Sequence, residues 1–307
     1  MTITSGTANA TSVFDVVMGV PSDCSGRFVG CQLMPAALRA AGLVGALGAL
    51  DLGNLQVAIA DPRRDAGTGV VGLTDLLNQS QVVRDHTQPL LADGHRPLII
   101  GGDCTLLIGV AGALNRTHPD AGLLFVDGHL DCYDGYTSTT GEGADMELAV
   151  LLGVGAQPLL DFGERTPAFA HERVVVLGPF DEADAAADGA PDPRTFAPTT
   201  TIVTSDELRA DPAGHARNAL AALHDRANGF WLHLDLDVLS SDVMAAVDYP
   251  DTRGLDYTQL TDILTIAFAS PHLLGASVVI LNPNQAPPED QSAQHVVDML
   301  ATASTAR

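Results

Sequence analysis

The chain has 307 residues and a formal charge of −23, with 38 acidic residues against 15 cationic ones, every one of which is arginine. That length is ample for one α/β domain with a sizeable core. The charge implies no electrostatic surface for nucleic acid or anionic lipid, and the absence of lysine excludes Schiff-base catalysis by a side-chain amine.

The opening MTITSGTANATSVFDVVMGVP carries no basic segment ahead of an apolar one, and no run of about eighteen apolar residues follows anywhere. A cytoplasmic protein with no membrane partner is expected. Short apolar, β-branched runs predict strands at Val16 to Val20, Leu55 to Ala60, Leu98 to Gly102, Leu123 to Asp127, Val174 to Gly178, Thr200 to Thr204, Trp231 to Val238 and Ala276 to Leu281. Helices are expected between them at Pro35 to Leu47, Leu73 to Leu91, His215 to Asn228, Tyr257 to Phe268 and Asp290 to Thr302. Strands alternating with helices predict a mostly parallel sheet covered on both faces, in a single α/β domain over residues 1–307. The Asp-, Ala- and Pro-rich stretch Asp181 to Pro198 reads as a surface loop or short insertion. Cys24, Cys31, Cys104 and Cys132 show no CxxC pair and are expected to be reduced, with all but Cys104 as small packing residues.

Ligands of open α/β sheets sit beyond the carboxyl ends of the strands, so the residues that end each strand carry the argument. The third predicted strand ends in Gly101, Gly102, Asp103, Cys104 and Thr105, where two glycines permit a tight turn and Asp103 or Thr105 can cap a helix. The fourth ends in Asp127, Gly128, His129, Leu130 and Asp131, three potential ligands at a spacing of two, which extended chain would place on one face. In the seventh, Leu232, Leu234 and Leu236 alternate with His233, Asp235 and Asp237. Like charges two apart on one face repel unless a cation or water screens them. Hard carboxylate oxygens with imidazole suit manganese, magnesium or zinc.

Together these segments resemble the signature motifs of the arginase, agmatinase and formimidoylglutamase superfamily: a Gly-Gly-Asp-His turn, an Asp-Ala-His-x-Asp strand end and a Ser-x-Asp-x-Asp strand end. GRFVGCQLMPAALRAAGL near the start and LNPNQ near the end resemble two further family segments. The resemblance implies a three-layer α/β/α sandwich on an eight-stranded parallel sheet. It also implies two manganese ions at Cys104, Asp127, His129, Asp131, Asp235 and Asp237, and assembly into homo-oligomers. Asp127 and Asp235 would bridge the ions, Asp131 would ligate the first and orient the attacking oxygen, and His129 and Asp237 would complete the second.

The departures matter as much. Cys104 stands where the family has a histidine ligand, and a thiolate suits zinc or iron better than manganese. His233 replaces a serine and either supplies the missing imidazole or hydrogen-bonds a ligand from behind. The stretch TSTTGEGADMELAVLLG contains no histidine to carry protons and offers Glu142, Asp145 and Glu147 instead. Ile280 occupies the place of the acidic residue that holds a guanidinium, and Ser240–Ser241 that of an Asp-Pro. The reading is therefore a metal-dependent hydrolase of a linear amidine or amide bond in a small molecule other than arginine or agmatine. The alternative is a one-metal or metal-free relative with a binding, regulatory or non-hydrolytic role.

Overall fold

A computed structural model describes residues 12–23, 28–162 and 165–305. Cys24 and part of the amino-terminal family segment lie outside them. Eight strands form one wholly parallel sheet: β1 (Val16–Val20), β2 (Leu50–Asn54), β3 (Pro97–Gly101), β4 (Gly122–Val126), β5 (Val174–Leu177), β6 (Thr201–Val203), β7 (Phe230–Asp235) and β8 (Leu273–Val279). Their order is β2-β1-β3-β8-β7-β4-β5-β6.

Right-handed crossovers dictate where the helices lie. Connections that step from β2, β3 and β4 toward β6 must fall on one face, and those that step back, from β1, β6 and β7, on the other. The packing agrees. The Leu73–Ala92 and Leu106–Thr117 helices lie together on the first face, with Glu147–Leu151 against the second of them. On the second, Pro212–Arg226 packs on Tyr257–Phe268, which packs on Ser292–Thr305 and so reaches Leu43–Leu47. The result is a three-layer α/β/α sandwich whose inner strands β1, β3, β7, β4 and β5 are buried along their whole length, and β8 at all but one residue.

Several elements depart from expectation. The second strand is Leu50–Asn54 rather than Leu55 to Ala60. It is the edge strand, where exposure relaxes the demand for an apolar run, and Arg39 clamps it through Asp51 and Asn54. The Pro35 to Leu47 helix is broken at Gly42, whose φ of 92 only glycine adopts freely. Leu106–Thr117 is helical although its residues Leu106 to Leu114 are all buried; a helix buried on every side shows no polar stripe. Asp181 to Pro198 is not a loop throughout, since it holds short helices at Glu182–Ala187 and Pro193–Phe196. Among the described residues, no helix is long and apolar enough to cross a membrane.

Neighbouring strands β4 and β7 send their chains to opposite faces, which opens a crevice between their carboxyl ends. Val126 pairs with Leu234 there, so Asp127 and Asp235 emerge side by side.

Candidate metal centre

After β3 the chain turns at Gly101 and Gly102, both at negative φ. Space, not conformation, demands glycine: a Cβ on Gly102 would sit 1.7 Å from the Ser22 carbonyl oxygen. Asp103 closes the turn by accepting from the Thr105 backbone at 2.9 Å, and Thr105 is the N-cap of the following helix. Cys104, 2% exposed, is thereby aimed at β7, where its Sγ donates to Oδ2 of Asp235 at 2.6 Å. Burial first, and Asp235 second, hold that thiol well above its usual range.

Extended strand does not persist past β4. Oδ1 of Asp127 accepts from the His129 backbone at 2.7 Å, and Asp131 adopts a left-handed φ of 45. The turn still gathers the side chains. His129 Nδ1 lies 3.0 Å from Oδ2 of Asp237; burial lowers the imidazole, but Asp237 together with Asp181 and Asp235 outweighs it and raises the ring to about 9. The β7 strand likewise ends at Asp235, whose Oδ1 accepts from the Asp237 backbone at 2.8 Å and opens a short turn.

His233 is fully buried in β7, stacked on Phe125 with ring centroids 5.2 Å apart. Its Nδ1 meets the Ser277 hydroxyl at 2.7 Å, a hydroxyl that also accepts from Trp231 Nε1 at 3.0 Å. Burial depresses its pKa to about 3, so the ring is neutral and its Nε2 has no partner. Glu147, at the head of an apolar helix, is fully buried, its carboxyl set against that of Asp131. Burial first and Asp127 second push it up, while burial first and Glu147 second push Asp131 up. Two such carboxyls in contact require a shared proton or a cation between them.

The donors fall into two groups. Ligand atoms of Cys104, Asp127, Glu147 and His233 lie within 4.8 Å of one another, as do those of Asp127, His129 and Asp237. Asp127 belongs to both, and its Oδ2 is buried without a hydrogen-bond partner. Such orphaned, lone-pair-bearing atoms fit divalent ions. Glu147 was legible only as a possible acid or base; its signal as a donor is a lone carboxylate heading the apolar run LAVLL.

A cleft of about 260 Å³ opens over the centre, lined by Cys104, His129 and Asp237 from the two groups, by Asp131 and Asp235, expected ligands that fall in neither group, and by Glu142, Asp145 and Ile280 farther out. Glu142 accepts from the Tyr249 hydroxyl at 3.2 Å, and burial lifts it to about 7 against that bond. Asp145 Oδ2 accepts from the hydroxyls of Ser138 and Thr140 at 2.6 and 3.0 Å, which ties it to its loop. Ile280 is held at a φ of 59, costly for a β-branched residue, with its N–H on the Gly102 carbonyl at 2.9 Å. Sequence reasoning missed Asp181, which accepts from the Leu130 backbone at 3.0 Å, and Asp248, which accepts from Cys31 Sγ at 3.3 Å and from Asn282 Nδ2. Both sit in segments that read as loops.

The sequence profile described as the arginase family matches residues 15–305. An arginase of Bacillus caldovelox is 26% identical over 278 residues, covering 87% of this chain and 90% of that protein. The crystal structure of arginase from Bacillus cereus superposes with a TM-score of 0.83 at 22% identity, covering 95% of this chain and 98% of that one. The crystal structure of formimidoylglutamase from Bacillus subtilis gives 0.73 at 18%, with coverages of 97% and 88%.

Proposed function

The chain belongs to the arginase family, and on that premise we propose that it hydrolyses a linear amidine or amide carbon–nitrogen bond in a small molecule other than arginine or agmatine, using divalent metal. One observation carries the reading: Asp127, Asp131, Glu147, Asp235 and Asp237 are buried together, and among the described residues no arginine pairs with them. Leaving such carboxylates uncompensated costs several kcal/mol per charge, and bound cations remove that cost.

Asp127, His129 and Asp237 would hold one ion, and Asp127 with Cys104, His233 and Glu147 the other, manganese being the family's metal and zinc the alternative. When bound, a divalent ion supplies Lewis acidity and makes water nucleophilic near neutral pH. The chain's own residues supply the rest. Asp131 orients the attacking water from the cleft wall. Glu142, poised at about 7, exchanges a proton with the leaving nitrogen, and the Tyr249 hydroxyl fixes its position. Asp145 keeps the loop bearing Glu142 in place.

The cleft also sets substrate class. Its lining includes Asp23, Asp103, Asp181, Asp184 and Asp248, and its two cations are both paired, Arg253 with Asp184 and Asp251 and the raised imidazole of His129 with Asp237. Anions are repelled, whereas neutral and cationic substrates enter. Ile280 offers no carboxylate to a guanidinium at the place where the family has one.

The Cys104–Asp235 hydrogen bond favours a second reading, in which only Asp127, His129 and Asp237 take an ion. Elemental analysis after chelation and reloading with manganese or zinc separates the two. Two ions per chain, with ammonia or urea released from linear amidines or amides only by loaded protein, supports the hydrolase. One ion and no hydrolysis supports the second reading, and no bound metal overturns both.

A further inference from the structure

We propose that Cys104, Asp127, Glu147 and His233 form a closed four-donor site that takes a zinc-class ion in preference to manganese, so that the two metal positions of this chain are chemically unlike. The inference rests on reading this centre as metal-binding.

The four side chains come from four places in the sequence: the turn after β3, the end of β4, the head of the Glu147–Leu151 helix, and β7. Their donor atoms converge to within 4.8 Å of one another. Oδ2 of Asp127 and Nε2 of His233 are buried without a partner, and the Glu147 carboxyl meets only the carboxyl of Asp131, with no cation beside it among the described residues. Glu147 and His233 are fully buried. Neither belongs in an apolar interior for its own sake: replacing Glu147 by leucine would suit its helix better.

The ring of His233 is prepared on its far side. Ser277 faces Nδ1, Trp231 holds Ser277, and Phe125 packs the ring face. Donation of Nδ1–H to Ser277 leaves the Nε2 lone pair directed into the cluster, the arrangement by which outer hydrogen bonds orient metal-ligating imidazoles.

The donor set decides the ion. One thiolate, one imidazole and two carboxylates suit a borderline-soft, four-coordinate ion far better than manganese, which favours oxygen donors. Exposure then decides the kind of site. Asp127, Glu147 and His233 do not line the cleft, whereas His129 and Asp237 do. Cys104 reaches the cleft wall and the other three donors lie behind it; four protein donors together leave no open position, the mark of a structural ion. The three-donor group in front keeps one open for water and substrate.

Cobalt supplied to the whole chain during expression reads out the site. A thiolate-to-cobalt charge-transfer band in the near ultraviolet is expected, absent in Cys104→Ser and retained in Asp237→Asn. With zinc and manganese offered together at equal concentration, one zinc per chain should be retained, and His233→Gln should lower that zinc affinity more than about 100-fold. Cys104→His keeps a donor at the position and should bind an ion without the charge-transfer band, with folding followed by circular dichroism. Cobalt bound with no thiolate band, or zinc affinity unchanged in Cys104→Ser, overturns the inference and leaves the metal-centre reading standing. Failure of the unmutated chain to bind cobalt, zinc or manganese overturns both.

Discussion

Sγ of Cys104 donates to Oδ2 of Asp235 across 2.6 Å, joining the turn after β3 to the end of β7 within a pocket of carboxylates. The two residues hold each other's charge in check: the proton stays on sulfur, and the carboxylate has a donor. Any ion that enters must displace that proton, because the thiolate and not the thiol is the ligand. Metal loading at this position should therefore release protons and strengthen as pH rises. Calorimetric zinc titrations at pH 6 and pH 8 in buffers of different ionisation enthalpy check this. Equal affinity and no proton release in Asp235-intact protein would show that Cys104 does not ligate.

Asp127 is the donor common to both groups. Asp127→Asn should empty both positions, whereas Asp237→Asn should empty one. Elemental analysis counts the ions directly. A full complement in Asp127→Asn would mean the groups are not joined through this carboxylate.

The stability of metal-free protein should fall as pH rises from about 4 to about 7. Burial raises Asp145 to about 6, Asp248 to about 6 and Glu142 to about 7, so these groups hold protons in the folded chain that the unfolded chain has already lost. Stability is then present below the unfolded carboxyl pKa and lost as pH passes through the folded values. Asp127, Asp131, Glu147 and Asp235 are raised by burial in the same sense. His233, depressed to about 3, works the other way below its unfolded pKa, but it is one group against many. Thermal unfolding across this range, with and without zinc, is the measurement. A midpoint that rises with pH in chelated protein, or an ion that fails to raise it near pH 7, contradicts the assignment.

Glu142→Gln should lower kcat about 10²- to 10⁴-fold, as loss of a general acid or base does, with metal content unchanged. Tyr249→Phe removes a hydrogen bond that lowers the Glu142 pKa, so the corresponding limb of the pH–rate profile should move to higher pH. An unmoved limb would assign it to another group.

Ser277→Ala tests the buttress behind His233. Loss of the outer hydrogen bond should weaken ion binding by about 10- to 100-fold. It also leaves the buried Trp231 N–H without its acceptor, which costs about 1–3 kcal/mol of stability. Cys104→Ser, by contrast, keeps that N–H satisfied, so unfolding in denaturant distinguishes the two variants.

The alternation of apolar runs and helical segments determined the layered α/β architecture, because burial of strands on both faces requires apolar sequence wherever it occurs. It failed at β2, an exposed edge, and at Leu106–Thr117, a helix with no solvent face to betray its period. The acidic strand ends at Asp127, His129, Asp131, Asp235 and Asp237 were legible as one centre, since residues that end neighbouring parallel strands must emerge together. Only the tertiary structure decided what Cys104, Glu147 and His233 have to do with one another. They lie on separate elements, and whether a buried lone pair is spare depends on what packs around it. Ser277 occupying one nitrogen of His233 and nothing occupying the other is a fact of strand register, β7 against β8, that no local pattern of residues contains.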